Sequence, residues 1–487
     1  MLFQPSQYQT DIFDFITSGQ GDAVVDAVPG SGKTTTCVQA SKRLTSRNAL
    51  FCAFNRHIAT ELKQRLQGMR AKTIHSLGFS ALHPLGKPEV DDRKYNKLIR
   101  QYLFDLNITQ KETLQAATAR IRELLRLTQL TLNEAEDEQA LKALATHYNL
   151  DMKDWDFTWR AIAPILTIGI EMAYQVIDYN DMIWLPHVLG CNPSKAQWVF
   201  VDEAQDLNQA QLELVLKARA AGGRMLFVGD ARQAIYGFTG ADTRSIANIT
   251  DRTQATVLPL SICYRCPTSH IELANQVYPG IEPRPDAPKG TVKEVKEDDI
   301  VALAQEGDLI LCRTNAPLVP LCFELIRAGI PAKIRGTDIG KNLITILNQV
   351  EQYTGFSFAK LPQYLSLYLD EQKRLLGNQD NVDMAIANVE DRVKTILAIA
   401  QFTRSSSIDA LKRAIADLFS DERAQVWLSS IHKAKGLEAD RVILLYPNLL
   451  PHPSAKKPWE KEQEMNLKYV ALTRAKESLF LAYGEEE

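Results

Sequence analysis

A glycine-bearing turn between an apolar stretch and a lysine has the residue types and spacing to bind phosphate. In "DAVVDAVPGSGKTTTC", residues 23–28 predict a short strand, and an amphipathic helix is predicted to begin near Lys33. Backbone N–H groups at such a helix start form a nest for phosphate; the Lys33 ammonium would reach the β/γ oxygens, and Thr34 would ligate Mg²⁺. The predicted nucleotide contacts are Pro29, Gly30, Ser31, Gly32, Lys33, Thr34 and Thr35. The alternative is a turn that only starts a helix, but Gly-Lys-Thr directly after a strand favours the phosphate site.

A pair of acidic residues follows a second apolar stretch, in "QWVFVDEAQDL". Residues 198–201 predict a buried strand, which places Asp202 and Glu203 at its carboxyl end, where open α/β sheets bind ligands. Asp202 would hold the Mg²⁺, and Glu203 would orient or deprotonate an attacking water. The alternative is that Asp202 only caps a helix. The apolar strand directly upstream favours the metal-binding interpretation.

Length and composition limit the class of protein. A chain of 487 residues predicts two or more domains, and 45% apolar with 24% charged residues is typical of globular proteins. No apolar stretch approaches the roughly 18 residues of a bilayer span, and the start lacks a secretory signal, so we expect a cytoplasmic protein without a membrane partner. A net charge of -3 argues against a protein that coats nucleic acid by its overall charge. A local basic groove stays open.

The cysteines do not predict a disulfide framework, because there are 7 of them at scattered positions, which fits a reducing compartment. Cys263 and Cys266 form a CxxC pair. Without a second pair or a neighbouring histidine cluster, we interpret them as buried small side chains rather than as a zinc or redox site.

These two motifs and six further stretches occur in the order found in superfamily 1 helicases of the UvrD/Rep type, which the sequence therefore resembles. The further stretches are "FCAFNRHIATEL", "KTIHSLGF", "VGDARQAIYGFTGAD", "CYRCP", "SSIHKAKGLEADRVILL" and "EMNLKYVALTRAKESL". Within the phosphate loop, Ala27 stands where the family pattern usually begins with glycine. Within the family, these stretches most resemble those of the compact bacterial, phage and F-box-helicase-like branch.

The resemblance implies an α/β fold with two RecA-like P-loop cores, each built on a parallel sheet and each carrying a mainly helical inserted subdomain. It also implies ATP with Mg²⁺ in a cleft between the cores. Gln9, preferred over Gln7, would read the adenine, and Gln233 would sense the γ-phosphate. The second core would supply Arg265 and Arg474 to the γ-phosphate, Tyr264 to stack on the adenine, and Gly436 and Glu438 to the nucleotide, with Glu438 on the ribose. Outside this motif context, Arg474 would be interpreted as a solvated helix residue.

The resemblance further implies contacts to single-stranded DNA on both cores. The implied residues are Phe54, Asn55, Thr73, His75, Tyr236, Phe238, Ser430, His432 and Lys435, with Lys433 adding positive charge. Base stacking on an aromatic ring tolerates any sequence, which suits a motor, although core packing is the more common role of such rings. Two positions depart from the family pattern: Thr239 replaces an arginine, and Ser430 replaces a threonine but keeps the hydroxyl.

The motif spacing predicts the domain organisation. The predicted segments are 1–76 and 193–255 for the first core (1A), 77–192 for its insertion (1B), 256–338 and 425–487 for the second core (2A), and 339–424 for a short insertion (2B). Because 2B is much shorter than in the large relatives, surfaces that grip duplex or dock partners are expected to be reduced.

The expected function is that of an ATP-dependent translocase on single-stranded DNA and a 3′–5′ DNA helicase, acting as a monomer on single strands and single-strand/duplex junctions. The alternative is a regulatory, DNA-stimulated NTPase subunit that needs a nuclease or repair partner to unwind. An RNA substrate also stays open, because no residue visibly reads a 2′-hydroxyl.

Overall fold

The computed structural model describes residues 3–53, 55–66, 68–148, 150–235, 237, 245–376, 383–420 and 424–484. The chain divides into two compact units, which we call unit 1 (Met1–Ser261) and unit 2 (Ile262–Glu487). Across the described ranges, every helix is too short or too polar to cross a bilayer.

Unit 1 alternates strands and helices. Its strands are β1 (Ala23–Ala27), β2 (Ala49–Ala53), β3 (Arg70–Thr73), β4 (Glu89–Val90), β5 (Val176–Ile177), β6 (Ala196–Val201), β7 (Arg219–Gly229) and β8 (Thr256–Leu260). Its helices are α1 (Gln7–Ser18), α2 (Lys33–Ser41), α3 (Arg56–Arg65), α4 (Ile74–Ala81), α5 (Lys94–Asp105), α6 (Lys111–Thr131), α7 (Glu138–His147), α8 (Trp155–Arg160), α9 (Ile162–Glu171), α10 (Tyr179–Val188), α11 (Gln209–Lys217) and α12 (Ser245–Thr253). The predicted strand before Asp202 and the predicted helix start at Lys33 are confirmed.

Six of these strands form a parallel sheet in the order β3-β2-β6-β7-β1-β8. Alternate strand residues face two apolar layers: Val25 packs with α1, α2 and α3, whereas Val24 packs with α4, α10 and α11. Because all strands are parallel, their carboxyl ends lie along one edge of the sheet. The chain therefore leaves β1, β2, β3, β6 and β7 at the same edge, and predicted site residues lie at or just after all five of these strand ends.

The helices between β3 and β6 have an apolar core of their own, which includes Ile99, Ile121 and Ile165. α10 contributes to two apolar clusters of unit 1, since Ile183 packs under the sheet while Leu185 packs among these helices. α4 and α10 are in contact, so the segment predicted as insertion 1B is packed directly on the sheet.

The contact between α4 and α10 depends on a glycine. A Cβ built at Gly78 would overlap the carbonyl oxygen of Met182, so only glycine allows this close approach. Alanine would gain roughly 0.5–1 kcal/mol of helix propensity, but overpacking costs about 1–3 kcal/mol. We expect Gly78→Ala to lower the urea concentration at the midpoint of the unfolding of unit 1. Ser80→Ala on the same helix is the control, and a midpoint unchanged by Gly78→Ala would contradict the close contact.

Unit 2 also alternates strands and helices. Its strands are β9 (Ile262–Cys263), β10 (Glu282–Pro283), β11 (Thr291–Lys296), β12 (Leu309–Cys312), β13 (Ala332–Ile334), β14 (Val426–Ser430), β15 (Ala439–Leu445) and β16 (Ala475–Tyr483). Its helices are α13 (Thr268–Asn275), α14 (Ile300–Leu303), α15 (Leu318–Arg327), α16 (Thr337–Val350), α17 (Leu361–Leu376), α18 (Asp383–Thr403), α19 (Ile408–Leu418) and α20 (Pro458–Leu472). A second parallel sheet has the order β11-β16-β15-β12-β14-β13. The predicted α/β class with two parallel-sheet units is confirmed.

Two features of the units differ from the sequence-based segments. β8, which falls in the segment predicted to begin the second core, pairs with β1 in the sheet of unit 1. The helices of the predicted 2B insertion bury Leu347, Ile396 and Ile415 in the same apolar cluster as strand residues Ile310 and Leu428. The described helices of the segment 339–424 therefore share an apolar core with the second sheet.

Candidate active site

The loop after β1 has the geometry of a phosphate nest. Gly30 and Gly32 have φ angles of 67° and 78°, a left-handed conformation that glycine adopts without strain. The Ser31 side chain is fully buried, and no described group hydrogen-bonds to its Oγ. Lys33 Nζ lies 3.5 Å from the carbonyl oxygen of Val28, in the same loop. The loop thus offers a buried hydroxyl, an ammonium and a helix start, which fit a bound phosphate.

Asp202 lies beside this loop, directly after β6. Thr34 Oγ1 donates a hydrogen bond to Asp202 Oδ2 at 3.2 Å. Burial, followed by the negative charge of Glu203, raises the pKa of the Asp202 carboxyl to about 6, while the Lys33 ammonium acts to lower it. A hydroxyl and a carboxylate oxygen held together are the donors that Mg²⁺ takes from a P-loop protein, so these two residues fit that ion. The helix-cap alternative does not describe Asp202, because Glu203 takes the cap position of the short 3-10 turn Ala204–Asp206.

Glu203 has an unusual backbone and a fixed side chain. Its φ of 52° is left-handed, which is uncommon for a residue with a Cβ. Its carboxylate accepts a hydrogen bond from Gln205 Nε2, with a distance of 2.5 Å between Nε2 and Oε2. Gln205 in turn accepts the backbone N–H of Asp230, which follows β7, at 3.1 Å. Gln205 therefore joins the loops after two neighbouring strands.

The Asp230 carboxylate is fully buried and collects side chains from its own turn. It accepts hydrogen bonds from Gln233 Nε2 at 2.7 Å and from Arg232 Nε at 3.0 Å. Arg232 also pairs with Asp26 of β1 at 3.0 Å. Gln205, Asp230 and Arg232 are not among the residues predicted from the sequence. Asp230 carries the same signal as Asp202, an acid directly after an apolar strand, by which it could have been predicted.

Gln9 packs against the helix that follows the phosphate loop. Its Nε2 donates to Thr36 Oγ1 at 2.9 Å, and its Oε1 accepts the N–H of Ser6 in the capping box of α1. Gln7, by contrast, pairs with Asp11 on the exposed face of α1. Of the two glutamines, Gln9 is thus the one beside the loop, and its role as the adenine reader stays a prediction.

Within unit 2, the two predicted arginines meet at Thr473. Arg265 Nη1 donates to the Thr473 carbonyl oxygen at 3.3 Å, and Arg474 Nη2 donates to Thr473 Oγ1 at 3.2 Å. Arg474 is 1% exposed, so the alternative of a solvated helix residue is wrong. Arg265 Nε also pairs with Glu438 Oε2 at 2.6 Å, and Lys476 binds the other oxygen of that carboxylate. The two arginines and Glu438 therefore form one charged cluster in this unit.

Tyr264 and two cysteines flank this cluster. The Tyr264 side chain is 37% exposed, as a stacking ring requires, and Gly436 has a left-handed φ of 83°. Cys263 and Cys266 are buried, and their mutual hydrogen bond is the main cause that lowers the pKa of Cys263 to about 6. Across the described ranges, no three His, Cys, Asp or Glu side chains gather as metal ligands, so the pair stands without further ligands.

Three predicted DNA-contacting residues of unit 1, Asn55, Thr73 and His75, lie at or just after the ends of β2 and β3. Asn55 and Thr73 are the N-caps of α3 and α4, where their side-chain oxygens accept the N–H groups of Ile58 and Ser76. His75 is partly buried, and this burial lowers its pKa. Helix capping thus accounts for two of these residue types, and their predicted DNA contacts remain untested.

In unit 2, Ser430 ends β14, and His432 and Lys435 occupy the turns that follow. Burial is the largest cause that lowers the pKa of His432 to about 3, with the positive charges of Arg313 and Lys433 acting in the same direction. Lys433 pairs with Asp338 at 2.6 Å. The predicted contacts Phe54, Tyr236 and Phe238 and the departure at Thr239 lie outside the described residues.

Two family models match this chain. Residues 9–254 match the UvrD/REP helicase N-terminal domain, and residues 341–486 match the UvrD-like helicase C-terminal domain. The first match alone covers about half of the chain, including every motif residue described above for unit 1.

Three named relatives are distant in sequence. The chain is 24% identical to F-box DNA helicase 1 of Gallus gallus, covering 94% of this chain but 47% of that protein. It is 23% identical to a probable DNA helicase II homolog of Mycoplasma pneumoniae over 96% of this chain and 82% of the relative. For the ATP-dependent DNA helicase PcrA of Staphylococcus aureus, 23% identity extends over 55% of this chain and 39% of the relative. The chain thus spans about half or less of two of these relatives.

Proposed function

Because this chain belongs to the UvrD/REP helicase family, we propose that it is an ATP-dependent DNA helicase that translocates 3′–5′ on single-stranded DNA. The observation that carries the proposal is the pairing of Thr34 with Asp202 beside a glycine-bearing loop whose buried Ser31 hydroxyl has no described partner. Named relatives described as DNA helicases support the choice of substrate.

In this proposal the loop after β1 binds the phosphates through backbone N–H groups and Lys33. Thr34 and Asp202 would hold Mg²⁺, which when bound neutralises negative charge on the β and γ oxygens. Glu203 accepts a proton from the attacking water, and the bond from Gln205 fixes the direction of its carboxylate. Gln233 leaves Asp230 to contact the γ-phosphate, which would couple nucleotide state to the segment after β7.

Arg265 and Arg474 would supply positive charge to the phosphoryl group in transfer. A positioned arginine contributes about 10³- to 10⁵-fold in related phosphoryl transfers. Their common attachment to Thr473 supports a joint role, because movement of that residue displaces both guanidinium groups. Glu438 pairs with Arg265, and the ribose contact proposed for Glu438 would release this arginine.

Single-stranded DNA would bind along residues on both units. Asn55, Thr73 and His75 would contact it from unit 1, and Ser430, His432 and Lys435 from unit 2. The stacking roles of Phe54, Tyr236 and Phe238 stay predictions. Phosphate contacts of this kind give affinity without sequence preference, as a motor requires.

The low pKa of His432 leads to a prediction about how DNA affinity depends on salt concentration. Because this pKa is about 3, well below the usual 6.5, the imidazole is neutral throughout pH 6–8 and releases no counterion on binding DNA. We expect His432→Gln to leave the slope of log K against log salt unchanged, whereas Lys435→Ala should reduce it by about 0.7. Fluorescence anisotropy with a labelled oligonucleotide at several salt concentrations measures both. A His432→Gln slope that falls as far as that of Lys435→Ala would show that the histidine binds as a cation.

Steady-state ATPase activity with and without single-stranded DNA tests the proposed function, together with unwinding of duplexes that carry a 3′ or a 5′ tail. DNA-stimulated hydrolysis with unwinding only from the 3′ tail is the expected result. Stimulation without unwinding would favour the regulatory subunit, and the reduced segment 339–424, packed on the second sheet, is the observation behind that alternative. Matched RNA strands in the same assay test the choice of nucleic acid.

A further inference from the structure

Gln205 occupies the space between two strand ends and uses both atoms of its amide. It is 1% exposed, its Nε2 donates to Glu203 Oε2 at 2.5 Å, and its Oε1 accepts the Asp230 N–H at 3.1 Å. We propose that Gln205 is a positioning residue for hydrolysis, which directs the Glu203 carboxylate and ties it to the segment that carries Gln233. This inference rests on the proposed function.

The two hydrogen bonds of Gln205 require an amide side chain at this position. A side chain here must donate to a carboxylate and accept from a backbone N–H at the same time. An ionised glutamate could accept but not donate, and a leucine of similar size could do neither. The residue type is therefore explained by its two neighbours together and not by burial alone.

The surroundings of Gln205 are built around its amide. A Cβ at Gly229 would lie 2.5 Å from Gln205 Oε1, so the last residue of β7 must be small for the amide to reach Asp230. Glu203 holds its left-handed backbone with the Asp202 carboxylate accepting its N–H at 3.0 Å. With its main chain fixed in this way, the remaining freedom of Glu203 lies in its side chain, which Gln205 restrains.

The same contacts form a continuous connection between two proposed functional groups. From Glu203 it passes through Gln205 to the backbone of Asp230, whose carboxylate holds Gln233. When Gln233 leaves Asp230 for a phosphate, the Asp230 carboxylate loses this hydrogen bond, and the change passes through the Asp230 backbone and Gln205 to the Glu203 carboxylate. Gln205 would thus let Glu203 align only when nucleotide is bound.

The test compares Gln205→Leu and Gln205→Glu with the wild-type chain and with Gln209→Leu, an exposed glutamine that pairs within its own helix. We expect both Gln205 variants to lower kcat about 10- to 100-fold, as loss of groups that orient catalytic residues typically does. Binding of a fluorescent ATP analogue should change less than about twofold, because neither amide atom contacts the phosphate loop. Thermal melting of each variant reports whether it folds. Gln205→Glu keeps the side-chain volume, so it serves as the second variant if leucine disturbs the core.

A double-mutant cycle separates positioning from a general structural role. In single-turnover assays on the Glu203→Gln background, adding Gln205→Leu should change the rate less than about twofold, because the group that it directs no longer works. Full additivity, an unchanged kcat in both Gln205 variants, or an equal loss of nucleotide binding would each overturn the inference. Absence of ATP hydrolysis by the wild-type chain would instead refute the proposed function.

Discussion

Replacing Lys33 with alanine is expected to reduce ATP hydrolysis on the order of 10³-fold, since a positioned charge on the transferring phosphate is lost. In the structure the ammonium lies against the Val28 carbonyl oxygen of its own loop, at 3.5 Å, a weak contact that phosphate oxygens would readily replace. ATP binding should weaken as well, because the same charge acts on the bound state. Steady-state ATPase and titration with a fluorescent ATP analogue measure the two effects.

Lys42→Ala is the matched control for this variant. Lys42 is exposed at the end of the helix that Lys33 begins, so its replacement removes the same charge from the same element. It should leave hydrolysis within about twofold, as surface substitutions usually do. Comparable losses in the two variants would mean that Lys33 acts through the general charge of this helix and not through a phosphate contact.

The residues of the phosphate loop could be predicted from sequence because their chemistry is local. Gly30, Gly32 and Lys33 belong to one turn, and the strand before them and the helix after them are both visible in the apolar pattern. Asp202 lies 168 positions from Thr34, yet it too could be predicted, since the carboxyl ends of parallel strands lie at one edge. Local pattern and sheet geometry together were sufficient for this part of the site.

Gln205 and the partners of Arg265 could not be predicted in this way. The stretch "DEAQD" contains four polar residues, and nothing in the sequence shows which of them turns toward Asp230, 25 positions away. Glu438 holds Arg265 across 173 positions, in a contact that only the folded unit creates. Both interactions depend on side-chain direction, which residue spacing does not specify.

The boundaries of the predicted segments depend on tertiary contacts in the same way. The residues of β8 have a strand pattern, but the pattern cannot say which sheet they join, and pairing with β1 extends unit 1 beyond residue 255. The helices of 339–424 show ordinary amphipathic spacing, which is the same for a separate insertion and for a layer on the second sheet. Leu347 and Ile415 pack in the apolar cluster of that sheet, and only the tertiary structure shows this.

Replacing Glu203 with glutamine should separate nucleotide binding from hydrolysis. We expect kcat to fall about 10²- to 10⁴-fold, because an amide of the same shape cannot accept the proton of the attacking water. ATP affinity should change little, since Lys33, Thr34 and Asp202 are intact. Glu171→Gln, at the exposed end of α9, is the control for loss of a carboxylate. Because the variant would still bind ATP, any effect of nucleotide on single-stranded DNA affinity should persist in it and vanish in Lys33→Ala. Hydrolysis by Glu203→Gln at the wild-type rate would show that another group accepts the proton, and would remove the functional reason for the bond from Gln205.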